Sequence, residues 1–288
     1  MLLGTSLLCA AVQRRKRAKK QRIFALKVVP GRNEIPMNEQ RLSFGANAEL
    51  YDRARPSYPP ELVADVVGLV GTPCTVLEVG CGTGKASVLF AGQGVSGVAV
   101  EPDEAMAGLA GQNLAPFPGW SVEVGDFEAW EPAPSSPPFD LVIAAESWHW
   151  VSRRVGPKKA DRLLRPGGWL AVFAYEIVRQ GTALQDEIDA IYASHSVGPS
   201  FSQLAKARRF DPAGTTFGEV LRREYPSAHN PTAEQWCDNL RTSSDHTAMP
   251  PAQLKELLAD VAGAIERHGG TYPHVTACKL WAVQKQRE

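Results

Sequence analysis

The residues whose types and spacing most directly suggest chemistry are Glu78-Val79-Gly80-Cys81-Gly82-Thr83-Gly84. Glycines between a strand and a helix let a ligand approach the backbone, and the helix start that follows offers N–H groups, so the segment reads as a cradle for a nucleotide-like group. Spacing separates the possible cradles. A phosphate-binding P-loop needs Gly five residues before its Gly-Lys pair and Ser or Thr after it, and around Gly84-Lys85 those positions hold Val79 and Ala86. A dinucleotide fingerprint begun at Gly80 needs a third Gly where Lys85 stands. Glu78, inside the strand end, would also repel a pyrophosphate.

S-adenosylmethionine has no phosphate and carries an ammonium that a carboxylate can help to hold. Further acids follow in order. Glu101-Pro102 comes 23 residues after Glu78, at the end of a second strand, where a carboxylate can accept both ribose hydroxyls. Gly125-Asp126-Phe127 follows a third strand. The ordered set resembles the class I methyltransferase family, whose first motif reads strand, Asp or Glu, then x-Gly-x-Gly-x-Gly. Phe139-Asp140-Leu141-Val142-Ile143 and Leu164-Arg165-Pro166-Gly167-Gly168 resemble that family's fourth- and fifth-strand signatures. The resemblance extends from about Phe44 to Tyr175. It implies that Gly80, Cys81, Gly82, Thr83 and Gly84 wrap S-adenosylmethionine, that Glu101 and Pro102 meet its ribose, and that Asp126 binds the adenine amino group while Phe127 packs on the ring.

Upstream, Phe44-Gly45 and the run from Tyr51 through Arg55 to Pro59 resemble the entrance segment of a small-molecule subgroup that includes trans-aconitate methyltransferase-like enzymes. By that resemblance Tyr51 and Arg55 close over the methionine end of the cofactor. The plainer alternative is that Tyr51 anchors a helix and Arg55 pairs with a surface acid.

Methyl transfer from a sulfonium is an in-line displacement with an activated leaving group, so the protein must mainly align the acceptor and exclude water. Glu146-Ser147-Trp148-His149-Trp150 follows the fourth strand, at the sheet edge where open α/β folds bind ligands. Trp148 and Trp150 would supply a dry wall, Glu146 would orient cofactor or substrate, and His149 is the candidate base for a hydroxyl or amine acceptor. The alternative for His149 and Glu146 is a structural polar side chain with satisfied hydrogen bonds. Tyr175, Trp236, Arg241 and His246 are candidate pocket residues, Arg241 through a bidentate contact if the acceptor is an acid. His268 and His274 have no metal-like spacing, and no metal is expected. Two rival functions remain: a non-catalytic module that binds S-adenosylmethionine and regulates a partner, and a nicotinamide oxidoreductase, which Lys85 and Glu78 oppose.

Positioning these residues requires strand–helix alternation, and the pattern from residue 38 onward supplies it. Strands are expected at residues 75–79, 95–100, 120–124, 139–145 and 169–175, with helices at 60–70, 85–93, 104–113 and 158–164. Beyond residue 180, helices are expected at 183–193, 232–240 and 251–267 and late strands at 218–225 and 275–283. The expected fold is α/β, a doubly wound, seven-stranded, mostly parallel Rossmann-like sheet. Residues 37–180 would form the core with its entrance segment, and residues 181–288 a helical cap plus the last strands.

The 288 residues carry 31 basic and 31 acidic side chains, unevenly placed. Residues 1–36 hold nine Lys and Arg against Glu34 alone, leaving 22 basic and 30 acidic residues beyond. A net charge of −8 there argues against a nucleic-acid substrate, and the subgroup resemblance implies a small-molecule partner. Cys9, Cys74, Cys81, Cys237 and Cys278 form neither a disulfide framework nor a zinc pattern, which suits reduced thiols in the cytoplasm. The apolar run at residues 2–12 precedes its basic cluster, the reverse of a secretory signal, and is too short for a membrane span. Residues 1–36 are expected to be a solvated basic extension, with Met37 as an alternative start. The sequence names neither the acceptor nor an oligomeric state.

Overall fold

The computed structural model describes residues 45–197 and 212–287. The basic extension at 1–36, Met37 and Phe44 lie outside the described residues. Seven strands form one sheet: β1 (Thr75–Val79), β2 (Ser96–Glu101), β3 (Trp120–Val124), β4 (Phe139–Ala145), β5 (Leu164–Ile177), β6 (Leu221–His229) and β7 (His274–Gln284). Their order is β3-β2-β1-β4-β5-β7-β6, with β7 antiparallel to both neighbours and the other adjacent pairs parallel. The expected seven-stranded, mostly parallel sheet is therefore present. Strand order reverses between β1 and β4, and the crevice beyond their carboxyl ends is the topological position for a ligand.

Alternation along the strands sends successive side chains to opposite faces. Val76, Leu141 and Ile143 join a cluster with α2 (Pro60–Gly68), α3 (Lys85–Ala91) and α4 (Glu104–Leu114), whereas Leu77, Val79, Val142 and Ala144 pack with α5 (Gly156–Leu163). Helices beyond residue 181 build a third cluster: Leu184 and Ile188 of α6 (Ala183–Ser194), Trp236 and Leu240 of α7 (Ala233–Arg241), and Leu257, Val261 and Ile265 of α9 (Pro251–Arg267). Among the described residues no helix is long and apolar enough to cross a membrane.

Three local departures from the pattern have physical causes. The strand expected at 169–175 already begins at Leu164, so Pro166-Gly167-Gly168 lies inside β5, where the pairing with β4 shifts register and Gly167 adopts φ +76°. β6 continues past Pro226 to His229 because it is the edge strand, where a missing N–H costs no ladder bond. α1 (Ala48–Ala54) and the short α8 (Ser244–Thr247) carry too few residues for a periodic signal, and α1 buries none of its seven.

Candidate functional site

The loop after β1 uses left-handed backbone at Gly80, Gly82 and Gly84, with φ of +65°, +58° and +81°. It is tied to the end of β2. The N–H groups of Gly80 and Cys81 donate to the Val100 carbonyl at 2.8 and 3.2 Å, and the Gly82 N–H donates to Glu101 Oε2 at 2.8 Å. Glu101 Oε1 accepts the Asp103 N–H at 3.1 Å, and Asp103 caps α4 through the N–H groups of Ala105 and Met106. Glu101 therefore fixes the height of the loop over β2. Cys81 is buried, which pushes its thiol well above the usual range.

Glu78 shares a sheet face with Val76 and is only 1 % exposed. Ser87 of α3 donates its hydroxyl to Glu78 Oε2. Burial, partly opposed by that bond and reinforced by Glu101, pushes the carboxyl up to about 8. Glu78 is thus an inward-facing acid beneath the loop, held by a helix hydroxyl.

The loop after β4 is locked to its neighbours. Ser147 donates its hydroxyl to the Val79 carbonyl, and a Cβ on Gly80 would stand 2.7 Å from Ser147 Cβ. Glu146 adopts φ +57°, its N–H donates to the Phe173 carbonyl at 2.9 Å, and its Oε1 accepts the Tyr175 N–H. The strained backbone at Glu146 is held by bonds to β5 on both its main chain and its side chain.

α1 lies across the loop. Asp52 Oδ1 accepts the Thr83 hydroxyl at 2.6 Å and stands 3.9 Å from Lys85 Nζ, while Asn113 of α4 donates to the Thr83 carbonyl at 2.9 Å. At the other end of α1, Arg55 Nη2 donates to the Thr242 carbonyl at 2.8 Å, and Asn239 Nδ2 donates to the Ala54 carbonyl at 3.2 Å. The helix therefore straps the loop to the cap. Tyr51, half-buried on α1, has the Arg55 guanidinium 5.3 Å from its ring centroid. Burial raises the Tyr51 phenol, Arg55 opposes this, and Glu146, Glu101 and Asp52 add to it, so the three acids bear on one side chain. Arg55 Nε is buried without a hydrogen-bond partner. The expectation of a surface pair for Arg55 is replaced by a backbone bond to the cap.

Asp126 opens a turn, accepting the Ala129 and Trp130 N–H groups on its carbonyl and the Glu128 N–H on Oδ1 at 3.0 Å. Phe127 is buried in the core, 6.3 Å from the Trp148 ring and 5.5 Å from the Lys159 ammonium. Lys159 donates to the Trp130 carbonyl, to the Glu128 carbonyl at 3.3 Å and to Glu131 Oε1 at 3.2 Å. Pro102 is half-buried beside Asp103.

Trp148, His149 and Trp150 form one 3-10 turn, half-buried, with the His149 and Trp150 rings 4.9 Å apart. Trp148 faces Phe127 and Gly156. Tyr175 stacks on Tyr58 at 5.6 Å and donates its hydroxyl to the Ser57 carbonyl, so it closes the sheet end against the entrance segment.

The cap residues chosen from sequence are placed differently. Trp236 stacks on Tyr272 at 4.2 Å inside the cap cluster, so it is a packing residue there. Arg241 is exposed and paired with Asp238 of its own helix at 2.6 Å, because it lies on the outer face of α7. His246 bonds Ser243 through Nδ1 and Tyr192 through Nε2 at 2.7 Å, and burial pushes it down to about 4, leaving a neutral structural imidazole. Sequence reasoning missed Asp52, Ser87, Asn113, Ser147 and Lys159. Of these, Asp52 and Ser147 lay inside segments already singled out, 51–55 and 146–150. Among the described residues no group of three or more His, Cys, Asp or Glu is arranged to hold a metal.

Comparison with known proteins agrees with this geometry. A family profile described as a methyltransferase domain matches residues 76–168, from β1 to the β5 turn. An uncharacterized methyltransferase of Mycobacterium tuberculosis is 34 % identical over 134 residues, 46 % of this chain and 52 % of that protein. The chain thus spans about half the length of the first curated relatives it matches. An uncharacterized methyltransferase of Schizosaccharomyces pombe is 25 % identical over 214 residues, covering 73 % of this chain and 82 % of the relative. A putative type II methyltransferase from Anaeromyxobacter dehalogenans superposes with TM-score 0.58 at 21 % identity, over 81 % of this chain and 99 % of its own. That likeness shows the fold. The glycine loop, Glu101 and Asp126 lie inside the matched span, and residues 76–168 are similar to a methyltransferase domain.

Proposed function

We propose that the protein transfers a methyl group from S-adenosylmethionine to a small-molecule acceptor, with a carboxylic acid among the candidates as in trans-aconitate methyltransferase-like enzymes. The observation that carries this reading is the meeting of the glycine loop, Glu101, Glu146, Tyr51 and Arg55 at the β1/β4 crevice under α1. The residues suit the cofactor chemically. Arg55 Nε is a buried donor lacking an acceptor, which suits the carboxylate of a methionine tail, and the acids around Tyr51 suit its ammonium. Glu101 would meet the ribose, Asp126 the adenine amino group, and Gly80 to Gly84 the backbone-contact face.

When bound, S-adenosylmethionine supplies a methyl carbon on a sulfonium leaving group. The protein's part is to align the acceptor and exclude water. α1 and the Tyr58–Tyr175 stack close the crevice, and Trp148 and Trp150 flank its β4 side. His149 takes a proton from a hydroxyl or amine acceptor, whereas a carboxylate acceptor needs no base. The charge of −8 beyond residue 36 supports a small molecule over a nucleic acid.

The test is incubation with methyl-labelled cofactor and a panel of carboxylic acids, phenols and amines. Label transfer to a panel member is expected, and tight cofactor binding with no transfer would favour a non-catalytic module. For a hydroxyl or amine acceptor, His149→Ala should lower kcat about a hundredfold or more with cofactor affinity unchanged. Unchanged turnover would remove His149 as the base.

A further inference from the structure

Among the described residues the buried side-chain polar atoms without a hydrogen-bond partner are Arg55 Nε, Trp169 Nε1, His274 Nε2 and Thr276 Oγ1. Folded proteins rarely leave such groups unpaired, so each needs an explanation. Two of them stand two residues apart on β7 and therefore on one face of the sheet. His274 is 6 % exposed and Thr276 is 3 % exposed.

Their surroundings place them at the seam between sheet and cap. Thr276 lies opposite Ile177 of β5 and Ser227 of β6, and His274 lies opposite His229. The same face continues to Cys278 and its partner Tyr175, whose hydroxyl meets the entrance segment and whose N–H is held by Glu146. From the other side Trp236 of α7 stands 4.7 Å from the His274 ring, and Thr242, just past the same helix, receives Arg55. The unpaired atoms thus follow the carboxyl end of β5 under α7, next to the residues that close the crevice.

The chemistry of the pair restricts what would satisfy it. His274 Nδ1 and His229 Nε2 are 3.0 Å apart and share one hydrogen bond. Burial and the neighbouring His229 push His274 down to about 4, so the ring is neutral near pH 7 and carries one proton. If that proton is on Nδ1, Nε2 is a bare acceptor; if it is on Nε2, Nε2 is a donor. A hydroxyl both donates and accepts. It satisfies Nε2 in either tautomer and pairs with the Thr276 hydroxyl, which a carboxylate or an ammonium does in one tautomer only.

We propose that His274 Nε2 and Thr276 Oγ1 form a hydroxyl-recognising subsite for the methyl acceptor. The proposal rests on the methyl-transfer reading and deepens it, because it assigns the acceptor a hydroxyl beyond the crevice that holds the donor. A site built to bond a hydroxyl discriminates strongly against the analogue lacking it, since the loss leaves buried groups unpaired. In the free protein the same unpaired groups are a liability, so an apolar isostere should stabilise it.

The experiment measures binding of paired probes, 3-hydroxybenzoate against benzoate and lactate against propionate, by calorimetry with and without S-adenosylhomocysteine. Wild type, Thr276→Val and His274→Phe are compared, the last keeping an aromatic ring against Trp236. Wild type should bind at least one hydroxylated probe about tenfold or more tighter than its deoxy partner. That preference should fall to about twofold or less in both variants, while S-adenosylhomocysteine affinity stays unchanged. The midpoint of thermal unfolding of ligand-free Thr276→Val should rise by about 2 °C. No hydroxyl preference in wild type, a preference that survives both variants, or a lowered midpoint for Thr276→Val, which marks a structural water, would each overturn the subsite. Failure of wild type to bind S-adenosylhomocysteine would instead count against methyl transfer, and the probe pairs measured without it would still decide the subsite.

Discussion

Gly80 is held by two separable constraints, and a double-mutant cycle can measure both. Its φ of +65° is left-handed, which costs a residue with a β-carbon about 1–2 kcal/mol. An added Cβ would also stand 2.7 Å from Ser147 Cβ and 3.3 Å from Ser147 Oγ, an overlap that should cost about 1–3 kcal/mol because Ser147 is buried and bonded to the Val79 carbonyl. Gly80→Ala should therefore lower unfolding stability by about 2–5 kcal/mol. Ser147→Gly removes the obstacle. In that background the same substitution should cost only the backbone part, about 1–2 kcal/mol. The difference is a coupling of about 1–3 kcal/mol between the two sites. Equilibrium urea unfolding of the four proteins gives these values, and calorimetry with S-adenosylhomocysteine follows the site, where Gly80→Ala alone should weaken binding about tenfold. Costs that add to within about 0.5 kcal/mol would refute the reasoning, since they would mean that the loop after β4 does not set the height of the loop after β1.

Three further outcomes are expected. The Glu78 carboxyl is pushed up to about 8 from 4.5, so between these values the native state keeps a proton that the unfolded chain has lost. Stability should accordingly be full below pH 4.5 and fall as pH rises to about 8, and denaturant midpoints of Glu78→Gln should lose that slope; a slope kept in the variant would assign it to another group. Asp52→Ala removes the acceptor that holds the Thr83 hydroxyl and should weaken S-adenosylhomocysteine binding about tenfold, at about 1 kcal/mol of stability because Asp52 is part-exposed. Equal affinity would show that α1 does not strap the loop. Lys159→Met strands the Trp130 and Glu128 carbonyls and should cost about 2–3 kcal/mol in thermal unfolding with weaker adenosine binding, whereas unchanged adenosine binding would separate the Asp126 turn from the site.

Much of the core was legible because its signals are local. β1, β3 and β4 begin and end where the apolar runs do, and Gly80, Gly82 and Gly84 occupy left-handed backbone that their spacing anticipated. α1 was not legible. It buries none of its residues and has no side-chain cap bond, so its existence rests on Thr83, Asn239 and Thr242, distant in sequence.

The division is physical. Residue spacing along the chain determined the alternating strand–helix frame, the glycine loop and the order of Glu78, Glu101 and Asp126, because those depend on periodicity and backbone conformation within a few residues. Tertiary structure alone decided how polar side chains were used. It turned Glu78 inward beneath Ser87 and put Arg55 rather than Arg241 in the buried seam. It also committed Trp236 to the cap and left His274 Nε2 and Thr276 Oγ1 without hydrogen-bond partners on one face of β7. The Arg55 bond joins groups 187 residues apart, and the other outcomes depend on which faces meet once helices and strands pack, which spacing along one element does not encode.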